Sequence, residues 1–161
     1  YSQFVQILQT IGWVCQSFNF GRASLGKSAS ADEVVMDCVK THLTDSGVKA
    51  VQNAVNVLKN LGDDDVAMEV FKSKSTDRNK ANFQVGHFKD DGGNVFAEMC
   101  AFQYETSTEI TNPLLSKLKG DSAAAYSASQ TMILNSAIYS HMRQPIKDKL
   151  GNAAEEYIQP Y

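Results

Sequence analysis

The chain has 161 residues, 43% of them hydrophobic and 20% charged, with a formal net charge of -3 and a pI near 5.6. This excludes whole-chain disorder and suits one globular domain, 1–161, with a core of its own. The mild negative charge and the scattered Lys and Arg give no steering toward nucleic acid.

The chain begins at Tyr1 rather than Met and is read as a processed product or a fragment. No charged head with an apolar core opens it. No run reaches the ~18 consecutive apolar residues of a constitutive membrane span. The many Ser, Thr, Asn and Gln suit an extracellular or particle-bound protein as well as a cytosolic one.

Residues 2–18 place Phe4, Ile7, Leu8, Ile11, Val14, Cys15 and Phe18 at helical spacing. A loop over 21–29 follows. Within it, "GRASLGKS" satisfies the spacing of a nucleotide-phosphate loop, with Gly21, Gly26, Lys27 and Ser28 at the key positions. In such a loop Lys27 would reach the phosphates and Ser28 would hold magnesium. The context argues otherwise. Gln16, Ser17 and Asn19 stand where a buried parallel strand should be apolar. The next helix also begins late, at a capping box formed by Ser30 and Glu33. A plain surface loop between two helices is the preferred reading.

The helix opened at Ser30 runs to about Leu43, with Val34, Val35, Cys38 and Val39 inward. After "TDSG", Val48, Val51, Val55, Leu58 and Leu61 form the apolar stripe of a third helix. Three strands are then expected. They are "VAMEVF" over 66–71, "ANFQVGHF" over 81–88 and "NVFAEMCAFQYE" over 94–105. Gly92 and Gly93 mark a hairpin between the last two. "TNPLL" predicts a short helix closed by Gly120, and Asp121 or Ser122 caps a longer one running to about Arg143. Asn152 and Glu155 form a last capping pair. The expected fold is α+β, an antiparallel three- to four-stranded meander covered by helices on both sides, in the order α-α-α-β-β-β-α-α-α.

Ser122 to Met142 carries no Asp, Glu, Lys or Arg. Read as a helix, it is apolar or small all round. It packs centrally, lines an interface, or leaves a soluble form to enter a bilayer. Tyr126, Met132, Ile133, Leu134, Ile138 and Tyr139 are its candidate contact residues.

No catalytic set stands out. Cys38 and His42 are one helical turn apart, but Cys38 lies on the apolar stripe and reads as a core thiol. Cys15, Cys38 and Cys100 lack metal-ligand spacing. A Cys15–Cys38 bridge with one free thiol is one arrangement, and three buried thiols another. Glu69, Glu98 and Glu105 are expected to face solvent, and Asp63 to Asp65 to form a solvated helix stop.

The function expected from these features is non-enzymatic and needs no metal or cofactor. The chain is read as a structural or interaction protein that packs with itself or with another protein. The alternatives are a membrane-active pore former stored in soluble form, which would meet a membrane surface, and a nucleotide-binding enzyme using the "GRASLGKS" loop.

Overall fold

The computed structural model describes residues 2–22, 29–62, 65–118 and 124–151. Helix α1, Ser2–Thr10, leads into strand β1, Trp13–Arg22. The two-residue strand β2, Ala29–Ser30, precedes helices α2, Ala31–His42, α3, Asp45–Asn60, and α4, Val66–Ser75. Strands β3, Thr76–Asp77, β4, Lys80–Asp91, and β5, Asn94–Glu105, follow. Then come β6, Lys117–Leu118, β7, Ala124–Leu134, and helix α5, Ser136–Leu150.

The expected three- to four-stranded meander is not what forms. The main sheet has five strands in the order β1-β7-β5-β4-β3, and β2 and β6 make a separate two-stranded ladder. All pairings are antiparallel. The β4–β5 hairpin turns at Gly92 and Gly93, with φ of 62° and 87°. Both values lie in the left-handed region that glycine enters without a Cβ penalty.

Four elements depart from expectation. The predicted helix over 2–18 breaks at Gly12, whose φ is 107°, and continues as β1. The apolar stripe is genuine for Phe4, Leu8 and Ile11, but Val14 to Phe20 are extended. "VAMEVF" is helical, because the Asp65 side chain caps it by accepting the Ala67 N–H at 2.9 Å. Met68 and Ser75 of that helix are buried. "TNPLL" makes a single turn, its Asn112 side chain accepting the Leu114 N–H at 3.0 Å.

The largest correction concerns the uncharged segment. Residues 124–134 form β7, an inner strand between β5 and β1. As an inner strand it is paired along both edges, and most of its side chains are buried or half-buried. Met132 is fully buried, and Ala125, Ala128, Ser129 and Gln130 are nearly so.

The sheet separates two cores. On one face α2 and α3 lay Val35, Val39, Val51 and Val55 over Phe83, Cys100 and Phe102. On the other, α1 covers Ala97, Met99, Met132 and Trp13 with Phe4, Leu8 and Ile11. Each fully buried aliphatic or Met side chain contributes about 1.5–3 kcal/mol. The start of α2 is clipped to residues 114–118. Ala31 N–H donates to Ser116 O and Asp32 N–H to Leu114 O, both at 2.9 Å. The predicted reciprocal bond of the capping box is present, Ser30 N–H to Glu33 Oε2 at 2.8 Å.

Candidate interaction surface

Among the described residues β1 forms one edge of the sheet, and its single ladder is to β7. The register runs from Trp13↔Leu134 to Arg22↔Tyr126 and shifts between Cys15 and Ser17. Gln16 is the extra residue of that bulge. Beyond the bulge, Phe18, Phe20 and Arg22 align with Gln130, Ala128 and Tyr126. Period two puts these residues on the Met132 side of the sheet, the side that carries α1. Helix α1 spans only nine residues and covers only part of that side.

The uncovered part is aromatic. Phe20 is 69% exposed and stacks on Tyr126 with ring centroids 6.3 Å apart and planes 3° from parallel. Phe18 is exposed on the same side, and Val14, aligned with Ile133, is exposed on the opposite one. The strand carries no charged residue from Trp13 to Gly21, and Arg22 comes only at its end. Long edge strands are normally blunted by Lys, by Pro or by shortness. β1 has neither residue within those nine positions. The bulge at Gln16 is the one such device it carries.

Helix α5 rises beside this edge. Asn135 N–H donates to Gly12 O at 2.8 Å, and the Asn135 side chain caps the helix by accepting the Ile138 N–H at 3.1 Å. The close approach explains Gly12, where a Cβ would meet Tyr139 N at 3.1 Å and Asn135 O at 3.2 Å. No residue of α5 is buried, and Ile138 and Leu150 are exposed. A 15-residue helix with no buried residue gains little from packing within the chain.

The predicted contact residues therefore divide between two elements. Tyr126, Met132, Ile133 and Leu134 lie on β7, while Ile138 and Tyr139 lie on α5. Tyr126 and Ile138 are exposed, Ile133, Leu134 and Tyr139 are half-buried, and Met132 belongs to the core. Among the described residues, no helix is long and apolar enough to cross a membrane. The membrane-active reading rested on a helix over 122–142 and falls with it.

Gly21 lies near the end of β1, paired with Ser127, in open space. Gly26, Lys27 and Ser28 fall outside the described residues. A phosphate loop follows a buried parallel strand, whereas β1 is an antiparallel edge. Cys15 packs with the α1 core and Cys38 with the α2 core, and both are free thiols. Among the described residues, no group of three or more His, Cys, Asp or Glu could hold a metal ion.

Glu98 was expected at the surface and is instead 3% exposed. Lys89 Nζ lies 2.9 Å from its Oε1, and the Thr44 hydroxyl donates to Oε2 at 2.7 Å. The Thr44 N–H also donates to Oε2, at 3.1 Å. Burial pushes this carboxyl up, but Thr44 and Lys89 together outweigh it and hold it below its ordinary value. The site is an α3 N-terminus closed by a carboxylate from the sheet, a structural tie.

No protein family matches the chain, and no curated protein matches it. Its function must be read from its own surface.

Proposed function

We propose that this chain is a non-enzymatic interaction protein that associates with a second copy of itself by antiparallel pairing of β1 with β1. The supporting observation is the edge strand itself, ten residues long and uncharged from Trp13 to Gly21. Strand addition uses main-chain hydrogen bonds for affinity and side chains on alternate positions for fit. An antiparallel pair of identical strands is isologous, so each partner offers the same surface. With no charge between Trp13 and Gly21, no like charges oppose one another at the centre of the seam. Phe20 and Tyr126 flank the edge on one side, and α5 stands beside its beginning.

Light scattering over a range of concentrations tests this. The wild-type chain is expected to pass from monomer to dimer as concentration rises, with little dependence on salt. The double variant Val14→Lys, Phe20→Lys places charges on the edge and is expected to weaken dimerisation at least about tenfold. A wild-type monomer at every concentration rejects the reading. A dimer that survives both lysines places the seam elsewhere.

A further inference from the structure

Beneath α2 lies a polar cluster that the proposed association does not use. Cys38, half-buried on α2, packs against the cluster that holds the fully buried Cys100 of β5, and the two thiols act directly on each other's titration. Ser127 on β7 also lowers the Cys38 thiol. Ser129 sits directly across from Cys100 in the β5–β7 ladder, and its buried hydroxyl has no partner. Two thiols and two hydroxyls are thus gathered at the inner strands of the sheet, within an otherwise apolar core. Buried polar atoms in such a place cost stability unless paired, so an unsatisfied hydroxyl beside a dithiol calls for an explanation.

We propose that Cys38 and Cys100 are a modification site, a dithiol that hydrogen peroxide oxidises to an intramolecular disulfide tying α2 to β5. Cys38 is the attacking sulfur because it alone of the two reaches the surface. Its thiolate takes one peroxide oxygen as the O–O bond breaks, giving a sulfenic acid on Cys38 and releasing hydroxide. The Cys100 sulfur then attacks the Cys38 sulfur. The S–O bond breaks, the departing hydroxyl takes the Cys100 proton, and water leaves as the S–S bond forms. The peroxide is reduced and the two thiols are oxidised, with no other reactant.

The electrostatics agree with these roles. The Cys100 side chain acts most strongly on the Cys38 thiol, and although burial opposes it, Ser127 adds to the lowering, which brings Cys38 to about 7. Cys100 is pushed up by Cys38 and by burial, and stays a protonated resolving thiol. Cys15 is an internal reference. It lies in the α1 core and its Sγ donates to the Ser17 carbonyl at 3.3 Å.

The test is hydrogen peroxide treatment of the wild-type chain, followed by thiol alkylation and non-reducing peptide mass spectrometry. The expected result is a linked Cys38–Cys100 peptide, reversed by a dithiol reductant and formed at least about tenfold faster than any oxidation of Cys15. In Cys100→Ser the sulfenic acid on Cys38 should persist and be trapped by dimedone. Cys38→Ser should leave Cys100 as a thiol. The wild-type measurement stands alone if either variant fails to fold. Peroxide that oxidises Cys15 first, or that carries Cys38 to sulfinic acid with no linked peptide, overturns the proposal.

Discussion

Gly47 lies on the buried side of α3, in its first turn, and a Cβ there would fall 2.6 Å from Glu98 Oε2. An alanine in a helix is ordinarily worth about 1 kcal/mol over glycine. Here it would push the carboxylate off the Thr44 donors and away from Lys89. The cost of disturbing a buried, charge-assisted network exceeds the helix gain. Gly47→Ala is therefore expected to destabilise the chain by roughly 1–2 kcal/mol in urea unfolding. In a Glu98→Ala background, where the carboxylate is gone, the same substitution should become neutral or stabilising. An equal cost in both backgrounds would show that Gly47 is needed for another reason.

At the scale of elements, α5 is the least anchored piece. It is held by its Asn135 cap and by the approach to Gly12, and it carries Pro145 inside its span. Its stability is thus local rather than shared with the core. Asn135→Ala should remove about 1 kcal/mol of that local stability. Hydrogen exchange should read this as faster amide exchange across Ser136–Leu150, with the melting temperature of the sheet almost unchanged. A matching loss across β4 and β5 would mean that α5 is part of the global unit.

Much of the element pattern was legible in the sequence. α2, α3, β4, β5 and the glycine hairpin followed from periodicity, capping and turn chemistry. Other elements were hidden for identifiable reasons. β7 mixes Ala, Ser, Thr and Gln, so neither a period of two nor one of 3.6 stands out. Its lack of charge reported burial on two faces, which a central helix would also show. "VAMEVF" is β-branched and aromatic, but its fate was decided by Asp65 just before it. Val14 and Phe18 continued the stripe of α1 by chance, and only Gly12 marked the break. The edge was therefore invisible in the sequence. The interface we propose therefore draws on β1 and Tyr126 rather than on a helix over 122–142.

For the whole molecule, two carboxylates join separate elements. Glu98 ties the sheet to α3, and Asp32 at the start of α2 is paired with Lys59 near the end of α3. Burial raises Asp32, but the bonds from Lys59 and Ser30 outweigh it, so both carboxyls titrate below their ordinary range. A depressed carboxyl adds stability that is present above the unfolded pKa and lost as pH falls through the folded one. The urea midpoint should thus fall as pH is lowered from about 5 to about 3. The Asp32→Asn, Glu98→Gln double variant should show a flatter profile across that window. An unchanged slope would assign acid sensitivity to other groups.

The pairing of β1 with β7 joins residues roughly 100 positions apart. On the ribosome β1 emerges before every other strand of the described fold, yet its partner strand is almost the last part of that fold to be made. The α2 side can begin to assemble around β4 and β5 while β1 still waits. Until β7 arrives, β1 has both edges bare, and neighbouring nascent chains on one message carry the same strand. The order of synthesis thereby sets a competition between closing the sheet within one chain and joining two chains too early.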